Sequence, residues 1–171
     1  MIVLHPTFHL KFVQFLKEFN DTNDYFECHE VLEDYWKEVA PRQKNHPLTA
    51  FILMSTSMYH WRRGNIPGAI KTMNKSINRF IETYDSSFFA TLDFEDIMQC
   101  TTSSLLLMQR TSEFQPFSIQ IIDSELHSLV NKLKIKNRDE LHFLIHKHML
   151  RDRSEILEER EKSKKRRDDK W

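Results

Sequence analysis

Ala50-Phe51-Ile52-Leu53-Met54 is the most apolar stretch of the chain, and apolar or small side chains continue from it through Met58. A helix with such residues around its whole circumference must be covered on every face, so it belongs at the centre of other helices. The spacing predicts that it begins near Pro47 and ends at Arg62-Arg63-Gly64. Cations favour a helix C-terminus, and a glycine there can adopt positive φ. A central helix enclosed by other elements points to an all-α fold.

Working outward toward the N-terminus, Tyr25 to Val39 reads as a second helix, with Asp24 and Glu27 at capping-box spacing and Pro41 enforcing its stop. Before it, Phe8, Phe12, Phe15, Leu16 and Phe19 form one stripe on a helix from Pro6 to Asn20. The break between the two is Asn20-Asp21-Thr22-Asn23-Asp24, whose short polar side chains compete for backbone hydrogen bonds. Toward the C-terminus, Asn65 caps a fourth helix with Pro67 in its first turn. Ile70, Met73, Ile77, Phe80, Ile81 and Tyr84 mark the buried face of that helix, and the short connection makes it an antiparallel neighbour of the central one. Asp93 with Asp96 opens a fifth helix to Arg110. Residues 114–121 read as an extended arm or short edge strand, because Pro116 disfavours helix in the residue before it. Asp123 caps a helix to Lys134, and another runs from Arg138 to Lys165 with a charged, solvated end. The expectation is a compact bundle of about five helices over residues 1–110, followed over 111–171 by an extended arm and two further helices.

Composition narrows the function classes. The 171 residues hold 25 basic and 25 acidic side chains, so no net charge draws the chain to nucleic acid or an anionic membrane. Only two glycines occur, too few for a Gly-rich phosphate loop. No apolar run approaches the ~20 residues of a membrane span. Two cysteines without metal-ligand spacing, Cys28 and Cys100, fit reduced thiols in a cytoplasm.

The chemistry concentrates in Tyr25-Phe26-Glu27-Cys28-His29-Glu30-Val31-Leu32-Glu33-Asp34-Tyr35-Trp36. His29 and Glu33 lie four apart on one helical face, with Phe26 a turn before and Trp36 a turn after. Charged groups so enclosed need partners. Three readings follow. The first is a divalent metal on His29, Glu33 and His60, with Glu30 as general base of a metal-dependent hydrolase or other small-molecule enzyme. The second, preferred on the residues alone, is a structural network in which Glu30 and Glu33 accept hydrogen bonds from His29, His60, Arg62 or Arg63 and fix helix register. The third is a shallow pocket lined by Trp36, Tyr59 and Trp61, in which the carboxylates recognise a cationic or amine ligand.

The run YFECHEVLEDYW together with SMYHWRRGNIPGAIK resembles the two signature segments of a bacterial family of helical proteins catalogued as domain of unknown function number 309. The resemblance spans Phe12 to Arg110 and places His29, Glu30 and Glu33 in its first segment. The second segment takes His60, Arg62, Arg63, Gly64, Asn65, Gly68 and Ala69. It implies an all-helical fold and no particular reaction, and the C-terminal part resembles the variant of Bacillus-type members. Where that family often carries a glycine before the Tyr-Phe pair, Asn23 or Asp24 stands here, tolerable in a turn. Mechanically, Gly64 makes a tight turn and Gly68 lets the fourth helix approach a neighbour.

Weaker signals are read as surface. His142, His146 and His148 lack a matching carboxylate, and Lys164-Lys165-Arg166-Arg167 is followed at once by Asp168 and Asp169. The conclusion from sequence is a non-enzymatic interaction or scaffold protein of the cytoplasm, with no cofactor assigned and an unspecified protein partner. The metal-dependent enzyme is the alternative.

Overall fold

The structure is a computed structural model and describes residues 4–135 together with Glu161, Lys162 and Lys165. The helix expected from Arg138 to Lys165, with His142, His146 and His148, and the basic run at 164–167 lie, apart from Glu161, Lys162 and Lys165, outside the described residues. Over residues 4–135, six α-helices follow one another: α1 (Leu10–Lys17), α2 (Tyr25–Val39), α3 (Pro47–Arg62), α4 (Ile66–Glu82), α5 (Phe94–Gln109) and α6 (Ser124–Lys132). They bear out the all-α reading.

Each start has a side-chain cap. Asp24, Asn65, Asp93 and Asp123 accept the backbone N–H three residues on, satisfying a donor that the helix itself leaves open. Histidines supply others: Nδ1 of His9 accepts from Lys11 N–H at the start of α1, and Nδ1 of His46 accepts from Leu48 N–H at the start of α3. The first expected helix is interrupted. A 3₁₀ turn (Pro6–Phe8) precedes α1 and a π-helical turn (Glu18–Thr22) follows it, after which Asn23 takes φ +54° and redirects the chain into α2. Asparagine tolerates this left-handed conformation, which is the turn property expected there.

Helix α3 packs chiefly on α4 and α2, and its buried residues lie on all sides. Phe51 is its hub, within 5.1–5.5 Å ring-centroid distance of Phe12, Phe15 and Phe80. Against α3, helix α4 buries Ala69, Met73, Ser76 and Phe80, with Ile70 and Ile77 at the margin. Two residues assigned to that face are not on it: Ile81 is 55% exposed and Tyr84 67%. Ile81 sits about 100° around the helix from Phe80, and Tyr84 follows the helix end, where the C-cap Thr83 has left helical geometry.

The arm is extended, as expected, and makes one isolated antiparallel bridge, Leu92 with Ile121. It is laid over the bundle by Phe114 against Tyr25 and Trp61, Phe117 against Phe19, and the buried Ile119. Asn20 holds it in place: its Oδ1 accepts from Ile119 N–H at 2.8 Å and its Nδ2 donates to Ile119 C=O at 3.0 Å. Helix α6 then packs on α1 through the same core, with Leu126 and Val130 buried.

Candidate functional site

The end of α3 is shaped by backbone hydrogen bonds before any side chain matters. Asn65 N–H donates to His60 C=O and Gly64 N–H to Trp61 C=O, the paired pattern of a Schellman motif. The motif needs a left-handed residue, and Gly64 supplies φ +85°. Asn65 thereby arrives both at the start of α4 and beside the last turn of α3. Its Oδ1 accepts from Gly68 N–H at 3.2 Å, and its Nδ2 donates to His60 Nδ1 at 3.2 Å.

Gly68 meets its nearest neighbours within its own helix start. A Cβ there would stand 2.5 Å from Asn65 Nδ2 and 2.9 Å from Asn65 Cγ. The glycine clears room for the capping amide.

His60 Nδ1 accepts a second hydrogen bond, from Arg63 Nη2 at 3.1 Å. Guanidinium and amide NH₂ are donors only, so Nδ1 is the bare nitrogen and the neutral ring carries its hydrogen on Nε2. The Arg63 guanidinium in turn lies over the Tyr59 ring, 5.4 Å from its centroid. These three residues, with His29, Thr56, Phe26 and Tyr25, line a cavity of about 170 Å³ between α2 and α3. Phe26 and Tyr59 face each other edge-on at 5.8 Å.

The second cluster is centred on α2. A carboxylate faces each nitrogen of His29: Glu30 Oε1 at 3.3 Å from Nδ1 and Glu33 Oε2 at 3.6 Å from Nε2. Glu33 Oε1 also pairs with Lys37 Nζ at 2.8 Å. Their side chains are 32%, 41% and 33% exposed, so the seam is partly covered. Ligand atoms of His29, Glu30 and Glu33 lie within 4.8 Å of one another, and this is the metal-capable group among the described residues. His60 is not a member of it, so the expected trio of His29, Glu33 and His60 is not assembled.

The Arg62 side chain lies at the start of α2. It donates through Nη1 to Asn23 C=O at 2.7 Å and lies over the Tyr25 ring at 4.8 Å. Burial there holds its pKa below the usual guanidinium value, and the same burial pushes the Tyr25 phenol up.

The three aromatics assigned to one pocket are placed apart. Tyr59 is in the α2–α3 cavity. Trp36 lines a second cavity of about 270 Å³, with Glu33, Lys44 and Arg79, and donates from Nε1 to Gln43 C=O. Trp61 is only 2% exposed, donating from Nε1 to Ser112 C=O and stacking edge-on against Phe114. Its position three residues after Met58 and seven after Met54 puts it on the core side of α3. Because α3 is apolar all round, its sequence gave no hint of which aromatic faced outward. His29 alone borders both cavities. Cys28 is fully buried with Sγ toward Phe15 C=O, and burial raises its pKa well above the usual thiol value, leaving it an inert thiol.

The sequence-level resemblance has a direct counterpart. The family model described as Domain of unknown function (DUF309) matches residues 12–72, the span from α1 into α4 that holds both clusters. The Bacillus subtilis protein named "Uncharacterized protein YpuF" is 32% identical over 115 residues, 67% of this chain and 66% of that protein, so the match covers just under two thirds of the relative. No solved structure matches the chain. With both signature segments folded into one groove, the chain belongs to the DUF309 family.

Proposed function

We propose that the protein is a non-enzymatic interaction module of the cytoplasm, a rigid helical scaffold that offers the α2–α3 groove to a binding partner. The observation that carries this reading is convergence on a cavity. His29, His60 and Arg63 come from two helices and meet around one recess walled by Phe26 and Tyr59. An aromatic-walled recess with a few fixed polar groups is how proteins hold a ligand or a partner's side chain. Cys28, the nearest thiol in sequence, is fully buried with its Sγ toward Phe15 C=O. The cytoplasmic placement is supported by two thiols left unbridged, Cys28 and Cys100.

A photo-crosslinking residue at Phe26, compared with one at Glu125 on α6, tests the reading in cell extract. The groove position is expected to yield one predominant adduct that the α6 position lacks. Equal labelling from both positions counts against a groove-specific role.

A second reading, a metal-dependent hydrolase, is favoured by the approach of His29, Glu30 and Glu33, with Glu30 as the general base that takes a proton from a metal-bound water. Elemental analysis of protein purified without chelators decides it. Stoichiometric zinc or manganese that disappears in Glu33→Ala supports this alternative. A metal-free protein in which Glu33→Ala changes stability alone leaves the interaction module.

A further inference from the structure

We infer that the cavity between Trp36 and Arg79 binds an acidic segment of a partner protein, seating an aspartate or glutamate beside an apolar side chain. The inference rests on the interaction-module reading and names the partner's chemistry at the Trp36 end of the groove. The recess holds about 270 Å³, more than the ~150 Å³ that admits benzene in an engineered cavity. One leucine-sized side chain and a carboxylate fit there together. Trp36, Ile52 and Leu53 form the apolar walls, each half-buried. The indole is fixed before any partner arrives, because Nε1 donates to Gln43 C=O at 2.9 Å. The loop from α2 to α3 is pinned as well. Thr49 Oγ1 lies 2.8 Å from Lys44 C=O and 2.7 Å from His46 C=O, and shares its hydrogen between them. Walls ordered in advance lower the entropy lost on binding.

Charge decides what the recess accepts. Lys44 and Arg79 bring two cations to its lining. Among the described residues the Lys44 ammonium has neither an ion-pair nor a hydrogen-bond partner. Arg79 is engaged there through Nη1, at 3.4 Å from Asn45 Oδ1 and 3.5 Å from Glu82 Oε2, both long contacts. Its Nε is buried with no hydrogen-bond partner among the described residues, so the greater part of its donor fork is unspent. Glu33 supplies the carboxylate of the lining, and its two oxygens already face Lys37 Nζ at 2.8 Å and His29 Nε2 at 3.6 Å. Helix α4 adds to the positive sign: from Ile66 to Ile81 it carries Lys71, Lys75 and Arg79 and no acidic residue. Four-residue steps set these cations along one side of the helix. Lys71 and Lys75 are exposed, so the approach to Arg79 is a basic ramp that steers anions inward. The sign is the reverse of the amine expected from the acidic sequence of α2. A nucleic-acid strand would read the same cations but fits less well. Its regularly spaced phosphates would meet Glu33 in the wall and Glu82 beside Arg79, whereas one carboxylate next to an apolar side chain meets Lys44, Arg79 and the hydrocarbon walls.

The full-length protein is titrated with a blocked leucine–glutamate–leucine tripeptide, its glutamine and lysine counterparts, and a short oligothymidylate, followed by ¹H–¹³C and ¹H–¹⁵N NMR. The glutamate peptide is expected to shift the Trp36 indole and the Ile52 and Leu53 methyls, saturating in the millimolar range or tighter. Its glutamine counterpart should bind about fivefold more weakly, having lost the charge-assisted contacts. Lys44→Gln should weaken the glutamate peptide about threefold, and its exposed position keeps folding out of the comparison. Arg79→Gln should weaken it at least as much. If that variant loses cooperative melting, Lys44→Glu serves instead and should weaken the peptide about tenfold, since it reverses the charge. Glu33→Gln should bind the glutamate peptide about twofold more tightly, because it removes the anion from the wall. Glutamine or lysine peptides that bind as tightly as the glutamate one overturn the acidic-partner assignment. Glutamate binding that no cation substitution weakens, or that Glu33→Gln weakens, overturns it too. Oligothymidylate that binds more tightly than the glutamate peptide, and loses affinity in Lys71→Gln with Lys75→Gln, overturns it in favour of a nucleic acid. If no probe shifts a residue of this cavity, the assignment falls. The crosslinking result at Phe26 decides separately whether the groove has a partner, so failure of the assignment and failure of the interaction module are told apart.

Discussion

Helices α3 and α5 end in the same hydrogen-bond pattern with different residues at the left-handed position. At α3, Gly64 takes φ +85°. At α5, Ser112 N–H donates to Leu107 C=O, Thr111 N–H donates to Met108 C=O, and Thr111 takes φ +54°. A β-branched residue there is strained, whereas glycine is not. The two ends also lead to different things. After Gly64 the chain turns at once into α4, and Asn65 ties the two helices to His60. After Thr111 it enters the arm, and Ser112 C=O accepts from Trp61 Nε1. The relaxed turn therefore carries the candidate site, and the strained one fastens a covering strap. Shared backbone geometry at a helix end says little about its task; the residues one and two positions later decide that.

The largest effect should come from Gly68→Ala, which puts a methyl group where the Asn65 amide lies. Loss of the cap should lower stability by about 1–2 kcal/mol and release His60, read by calorimetry and by the imidazole ¹⁵N shifts. Adding Asn65→Ala should cost little more, since both changes remove the same interaction. Additive losses would mean that Gly68 acts on something other than Asn65. Exchanging residues at the two turns comes next. Gly64→Ala should destabilise by about 1 kcal/mol, and Thr111→Gly should stabilise by up to about that amount, provided relief of strain exceeds the added chain entropy of the unfolded state. Equal signs in urea denaturation would break the comparison.

The helix start opposite the Gly64 turn gives a smaller, pH-dependent test. Burial holds the pKa of His46 below its unfolded value of 6.5, because it disfavours the charged ring. Nδ1 must also be bare to accept from Leu48 N–H. The folded state thus binds fewer protons, and stability should rise with pH through this window and be lost as pH falls below about 6.5. His46→Asn keeps a capping acceptor without the titration, so its melting temperature should fall less between pH 7.5 and pH 5 than that of the wild type. The smallest effect belongs to Glu33→Gln. Its contacts to His29 and Lys37 are half-exposed pairs on one helix, worth no more than about 0.5 kcal/mol. A larger loss would show that the α2 cluster does more than decorate its helix.

The contrast also explains what was legible in the sequence. Contacts within one helix follow from spacing alone, so the meeting of His29 with Glu33 and the caps at Asp24, Asn65, Asp93 and Asp123 could be read in advance. The link from His60 to Asn65 and Arg63 crosses a helix end, and its geometry depends on a turn whose glycine could be identified but whose side-chain partners could not. The role of Gly68 was hidden because clearance for a neighbouring side chain leaves no periodic mark. Histidine caps escaped notice because histidine is outside the usual capping set. Trp61 was assigned outward and faces inward, since no polar stripe on α3 marks a solvent side.

The clasp between Asn20 and Ile119 joins positions 99 residues apart. On a ribosome the first helices emerge well before the segment that completes their surface. Until residue 119 has cleared the exit tunnel, Phe19, Tyr25 and Trp61 lack their covering rings, and the nascent bundle exposes an oily flank. A chain released short of that point should be a client for chaperones, whereas one extending just past it gains its seal in a single step.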